Sequence, residues 1–329
     1  MIAIKRLLYV LLTLMPLGAH LVAHAQAYPR KTVTLIIPNA PGGAFDAAAR
    51  PLSQVMGQQL GQPVVLDNRP AGQGVIGVQA AARSTPDGYT LLFTGSANIS
   101  FLPILRPKLP YDAQKDLMPI SRLGFLDSFV IVHSSVSANS VKELFELARA
   151  KPDAITWGSW GNTSNSHIYT QWLRRTQNIS FFEVPYKTAP QALQAVLAGE
   201  VQVMVFGQGQ VVPLVKAGKL KALAATGTQR YPGLPQVPPM KDTGTGFDLE
   251  TPLWVGLFAP TGTPGEVITR INGLINGLLA DKAYTDKFLL AFGYLPVEPH
   301  SPEQFAQAIR RDRLIYTDLI RVAGIVDAD

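Results

Sequence analysis

Two short segments carry residues whose types and spacing could hold an anion. The first runs Pro38-Asn39-Ala40-Pro41-Gly42-Gly43-Ala44-Phe45-Asp46. It follows an apolar run at 32–37 and precedes a helical pattern that begins near Phe45. Adjacent glycines let backbone N–H groups come close to a ligand. The unpaired N–H groups of a first helical turn then attract negative charge. The second segment is Trp157-Gly158-Ser159-Trp160-Gly161-Asn162-Thr163-Ser164-Asn165-Ser166-His167. It also joins a strand to a helix and is rich in small and hydroxyl residues. Two such helix starts facing one cleft would hold a carboxylate without lysine or arginine. Each segment taken alone would serve equally well as a tight turn.

Other chemistry is thin. Ser164 and His167 lie three residues apart on one helix, so a secreted hydrolase built on that pair is the rival class. It lacks a G-x-S-x-G elbow and an evident acidic partner, and a histidine held by a structural hydrogen bond fits as well. His133, His167 and His300 are scattered, and cysteine is absent, so neither a metal site nor a cofactor is expected. Gly72-Gln73-Gly74-Val75-Ile76-Gly77 matches a dinucleotide fingerprint. However, Asp67-Asn68-Arg69-Pro70 separates it from the preceding strand, and Leu91-Leu92-Phe93 stands where an acidic residue is required. Asp46 either touches a ligand or favours the first turn of its helix. Lys187 either reaches an anion or is a solvated charge. Phe45, Trp160 and Phe101 are candidates for a cleft wall or for the core.

The elements that must position these residues form an α/β pattern. Strands are expected at 32–37, 64–66, 89–93, 129–133, 181–184, 201–206, 222–226 and 255–258. Several are unbroken apolar runs, as in parallel sheets covered on both faces. Val267, Ile268, Ile271, Leu274, Ile275, Leu278 and Leu279 make one helical stripe. Ser140 with Glu143, Thr188 with Gln191, Thr263 with Glu266, and Ser301 with Gln304 have capping-box spacing. Pro264 and Pro302 are expected at the first helical position. In such folds ligands sit at the carboxyl ends of strands.

The whole chain of 329 residues has 47% apolar and 16% charged residues, enough for two α/β lobes. Residues 1–27 read as an export signal: Lys5 and Arg6, an apolar stretch at 7–17, and a small-x-small cleavage site at Ala23-His24-Ala25. Loss of that segment lowers the formal net charge from +6 to +4. No basic run suits nucleic acid.

Further along, longer segments follow in a specific order: Gly61-Gln62-Pro63-Val64-Val65, Asn68-Arg69-Pro70, Pro86-Asp87-Gly88-Tyr89-Thr90, Lys108-Leu109-Pro110-Tyr111-Asp112, Val184-Pro185-Tyr186-Lys187, Lys216-Ala217-Gly218-Lys219-Leu220 and Gly256-Leu257-Phe258-Ala259-Pro260. With the two loops above, they make the chain similar to the extracytoplasmic receptors of tripartite tricarboxylate transporters, the Bug family. The likeness covers nearly all of 28–324. It implies a type II periplasmic binding protein of the Venus-flytrap kind, with lobe one at 28–125 and 255–329 and lobe two at 126–254. It further implies a monomeric, non-enzymatic receptor for a small carboxylate, partnered with membrane permease subunits or with a sensor protein.

The ligand-binding residues this implies are Asn39, Pro41, Gly42, Gly43, Phe45, Asp46, Ser96, Asn98, Ser159, Trp160, Asn162, Thr163, Ser164, Asn165, His167, Tyr186 and Gln208. The chain departs from the family pattern at Asn39, Ala44, Phe45, Trp160, Thr163, Asn165 and Ser166, within 95–100, and at Gly207-Gln208, where an acid is usual. Loss of that acid and gain of Phe45 and Trp160 lead us to expect an aromatic or bulky monocarboxylate.

Overall fold

The structure is a computed structural model that describes residues 28–161, 164–246 and 253–325. The expected export signal lies outside the described residues. Two sheets build two lobes. The first has the order β11-β4-β10-β3-β1-β2. Its strands are β1 (Val33–Ile37), β2 (Val64–Asn68), β3 (Thr90–Gly95), β4 (Leu117–Phe125), β10 (Trp254–Pro260) and β11 (Leu295–Pro296). The second has the order β7-β6-β8-β5-β9, from β5 (Ser128–His133), β6 (Thr156–Ser159), β7 (Phe182–Pro185), β8 (Val203–Gly207) and β9 (Leu220–Ala225).

All eight expected strands form. β4, β6 and β11 were not anticipated. β4 is interrupted by Pro119, Ser121, Arg122 and Gly124 and shows no clean alternation. β6 has only four residues and ends in Gly158-Ser159, so part of the presumed second loop is strand. The sheets are mixed rather than parallel. β1 pairs in parallel with β2 and β3, whereas β10 and β11 run antiparallel to their neighbours. In the second lobe β6 is parallel to β7 and β8, and β5 is antiparallel to β8 and β9.

Helices cover both sheets. In lobe one these are α1 (Ala44–Leu60), α2 (Val75–Ala82), the single turn α3 (Leu102–Leu105), α8 (Gly265–Ala280), α9 (Lys282–Phe288) and α10 (Pro302–Ala323). Lobe two carries α4 (Val141–Ala150), α5 (Asn165–Gln177), α6 (Ala189–Leu197) and α7 (Gln208–Lys216). The α8 stripe packs on the first sheet with all but Leu274 fully buried. Ser140, Thr188 and Ser301 accept from the third N–H of their helices, and Ser301 with Gln304 completes a capping box. Thr263 does not cap α8. Its hydroxyl turns back to the Pro260 carbonyl at 2.8 Å, and Pro264 takes the capping position. The far end of α10 leaves its own lobe: Tyr316, Leu319 and Ala323 bury beside Trp157 and Tyr169 of lobe two.

The chain passes between lobes at 125–128 and again at 253–254. The two passages are tied by the Leu126 N–H to the Leu253 carbonyl at 2.8 Å. Beside them the Ser128 N–H donates to Thr226 Oγ1 at 3.0 Å, and the Thr226 N–H to the Ser128 carbonyl at 2.8 Å. Among the described residues, no helix is long and apolar enough to cross a membrane.

Candidate functional site

A cavity of about 400 Å³ lies between the lobes. Ala44 and Phe45 from the start of α1, the turn after β3, Trp254 and Phe292 line it from lobe one. Trp160, Ala189 and Phe206, with Gly207, Gly209 and Gln210 at the start of α7, line it from lobe two. Leu126, Ser128 and Leu253 form its floor at the interlobe passages. Among the described residues, no charged side chain lines it. Phe45 stands edge-on to Phe93 at 6.2 Å, and Trp160 edge-on to Phe206 at 5.8 Å. A Cβ on Gly95 would come within 2.9 Å of the Phe45 ring, so Gly95 is what lets that ring lie against the strand.

Two uncapped helix starts converge here. α1 begins after Gly43 and α7 after Gly207, neither with a side-chain cap. The first N–H groups of a helix have no partner within it. They leave a partial positive charge that suits a carboxylate. At α7 the Gln208 N–H is taken by the Asp127 carbonyl at 3.2 Å, which leaves Gly209 and Gln210 towards the cavity. The lobes also touch backbone to backbone at this point. A Cβ on Gly209 would lie 2.7 Å from the Phe292 carbonyl, and one on Gly293 would overlap the Gly209 N–H.

Of the expected site residues, Phe45, Ser96 and Trp160 line the cavity. Several of the others hold the loops that frame it. Asp46 is 1% exposed. It accepts from the Gly42 N–H at 2.9 Å, from Arg50 Nε at 2.7 Å and from Asn68 Nδ2 at 3.2 Å. Burial opposes its charge, but those three donors outweigh burial and hold the carboxyl below its ordinary range. The Gly43 N–H reaches the Ala40 carbonyl at 3.4 Å, and Asn39 accepts from Asn68 through its carbonyl. Pro41 is exposed on the same loop. Asn98 ties Thr94 to the Gln73 carbonyl.

In lobe two, Ser164 Oγ donates to the Gly161 carbonyl at 2.7 Å and accepts from the His167 N–H at 3.2 Å. His167 Nδ1 pairs with Glu183 at 2.8 Å, an acid that sequence reading did not supply. Burial raises the Glu183 pKa, but His167, Ser159 and Thr170 together lower it further. The Ser164 hydroxyl and the His167 ring therefore face different partners and do not form a nucleophile–base pair. Tyr186 donates its N–H to the Ser159 carbonyl at 2.8 Å, and Lys187 is exposed. Gln208 is fully buried, and among the described residues neither amide atom has a hydrogen-bond partner. Asn162 and Thr163 lie outside the described residues; Asn165 opens α5.

Sequence reasoning named Gln208 at the start of α7 but missed Gly209 and Gln210 beside it, Ala189 and the aromatics Phe206, Trp254 and Phe292. Phe206 and Gly207 sit at the carboxyl end of β8, the one signal that could have found them. The Gly72–Gly77 motif is structural. A Cβ on Gly74 would meet the Pro38 carbonyl at 2.7 Å, and one on Gly77 would meet the Arg69 carbonyl at 2.9 Å. These glycines let α2 dock under the 38–43 loop.

The sequence matches the family model described as "Tripartite tricarboxylate transporter family receptor" over residues 48–324. Protein BugT of Bordetella pertussis is 31% identical over 301 residues, 91% of each chain. Rpa4515 of R. palustris, solved with adipate, superposes with a TM-score of 0.80 at 27% identity, covering 91% of this chain and 99% of that one. MatC of Rhodopseudomonas palustris, solved with bound malate, gives 0.74 at 28% identity over 89% of this chain and 100% of that one.

Proposed function

The chain belongs to the tripartite tricarboxylate transporter receptor family, and on that premise we propose that it is a periplasmic solute-binding protein that captures a small carboxylate between its lobes. The observation that carries this reading is the interlobe cavity, lined among the described residues without a charged side chain and entered by an uncapped helix start from each lobe. A carboxylate there would accept from backbone N–H groups. Such charge-assisted bonds are worth about 1.5–3 kcal/mol each. Adipate and malate in the related structures are acids of this size.

The walls favour an aromatic or bulky monocarboxylate. Phe45, Trp160, Phe206, Trp254 and Phe292 surround a space where, among the described residues, no arginine or lysine stands for a second acid group. Binding draws 28–125 with 255–329 towards 126–254, because a ligand held from both sides favours the arrangement that engages both. The loaded, monomeric receptor then meets permease subunits or a sensor protein. No bond chemistry is required of it, consistent with the separate engagements of Ser164 and His167.

The test is a thermal melt of residues 28–329, refolded to remove carried-over ligand, against aliphatic dicarboxylates, citrate, aromatic acids, amino acids and nicotinate. A ligand at 100 times its dissociation constant should stabilise by about 2.7 kcal/mol. A selective shift with an aromatic acid, recovered unchanged, supports the reading. Selective stabilisation by aspartate or glutamate would overturn the aromatic assignment, and consumption of the compound would overturn the receptor assignment.

A further inference from the structure

The hinge passage at 125–128 has two faces, and only one belongs to the cleft. Leu126 and Ser128 face the ligand cavity, while Phe125 and Asp127 line a second cavity of about 460 Å³, as alternation along an extended chain requires. This rear cavity is also walled by Arg122 of β4, Glu298 beyond β11, Arg311 and Asp312 of α10, and the segment 226–229.

Two features single out Asp127. It is only 6% exposed yet lines the cavity, and among the described residues its carboxyl has no hydrogen-bond partner. It also rests against Gly227, where a Cβ would overlap it. Gly227 does not have a positive φ, so its backbone would accept a side chain; the space given to the carboxyl would not. The arginines of the wall are engaged elsewhere. Arg122 lies over the Phe125 ring at 4.5 Å, and its charge is favoured by Asp312 nearby. Arg311 is exposed to solvent. Burial alone acts on the Asp127 carboxyl and pushes it up to about 7, with no cation drawing it down.

We propose that the rear cavity is a second binding site, for a primary ammonium compound with a short apolar body, whose nitrogen donates to the Asp127 carboxylate. An ionised carboxyl only accepts, so its partner must bring N–H or O–H groups. A charged donor makes the stronger bond. Asp127, Asp312 and Glu298 against Arg122 and Arg311 leave the wall negative, which favours a cation. A metal ion is not suited. Among the described residues no three acidic or histidine side chains converge to hold one, and a calcium ion takes six or more oxygens. Leu295, Val297 and Ile315 on the same wall offer apolar surface to a hydrocarbon body. The ammonium compound and the acid captured in the cleft occupy separate cavities, so the second site adds to the first and does not compete with it.

The test titrates residues 28–329 with propylammonium chloride at about pH 8, where this carboxyl is ionised. Tetramethylammonium and sodium chlorides at equal ionic strength are the controls, the first a cation without N–H. Binding is read by calorimetry and by the carboxyl-carbon resonance of Asp127. We expect saturable binding of propylammonium alone, with a shift of that resonance. Asp127→Asn keeps the shape, removes the charge and deprives no described group of a side-chain partner, so it should fold and bind about tenfold more weakly or less. Affinity in the parent should also fall as pH drops through about 7, because a protonated carboxyl loses its charge. Absence of saturable binding, equal binding of tetramethylammonium or sodium, or affinity unchanged by Asp127→Asn would each overturn the proposal. No acid ligand enters the titration, so its failure and failure of the carboxylate panel are separate results.

Discussion

At the scale of single residues, the site depends on side chains that hold loops and on rings that line the cavity. Ser166 is the clearest of the first kind. Its hydroxyl accepts from Trp157 Nε1 at 2.7 Å and from the Val205 N–H at 3.1 Å, and donates to the Gly158 carbonyl at 2.6 Å. Ser166→Ala removes the shared partner of buried groups on two strands, β6 and β8, and should cost about 1–3 kcal/mol, read as a lowered midpoint in urea. Asp46 should show itself through acid. Its native pKa is lowered, so its contribution is present above the ordinary value of 3.8 and is lost as pH falls through the native value. Asp46→Asn should therefore flatten the loss of stability below about pH 4. Trp160 belongs to the second kind. Trp160→Ala should weaken an aromatic acid about tenfold or more while changing affinity for adipate less, by calorimetry. Gly43→Asp separates folding from binding. Its added Cβ has room, 3.4 Å from the Ala40 carbonyl. Aspartate also caps a helix well. The melting temperature should hold or rise while carboxylate binding disappears, because the new carboxylate occupies the first turn of α1.

At the scale of elements, packing tolerates little at the α2 start. Gly77→Ala would press on Pro38 and the Arg69 carbonyl. It should cost about 1–3 kcal/mol and weaken ligand binding through displacement of the 38–43 loop, with no contact to the ligand itself. The sequence showed this element as a glycine spacing and showed why it is no dinucleotide site, but gave no sign that the glycines seat one loop on one helix. The same division recurs through the fold. Long apolar runs such as β1, β8 and β10, and the α8 stripe, were legible because burial imposes their periodicity. The direction of β10 and β5 was not, since an apolar run is the same read either way. β4 was hidden by Arg122 and Ser121, whose roles concern neighbours far away in sequence. In the site, the start of α1 was visible as Gly42-Gly43, whereas that of α7 was visible only as a departure from a familiar pattern. Phe292 lies on a short turn with no signature, and only the approach of the lobes brings it to the cavity.

At the scale of the whole molecule, one buried carboxyl gives stability its own dependence on pH. Asp127 binds its proton more tightly in the native protein than when unfolded, so stability falls from pH 3.8 to about 7 and is then level with respect to this group. Thermal melts of Asp127→Asn should gain on the parent over that interval and keep a constant lead above it. The lobes themselves meet beside the hinge through Gly209 and Gly293, with no side chain between them. That contact behaves as a fulcrum: a single methyl on Gly293, which does not line the cavity, presses on Gly209 and acts as a shim that changes the resting angle. Since only part of the population is then competent to bind, apparent affinity scales with that fraction. Two receptors with identical clefts could thus be set to different ambient concentrations by one carbon atom outside the cleft, which gives selection a way to tune sensitivity without touching specificity.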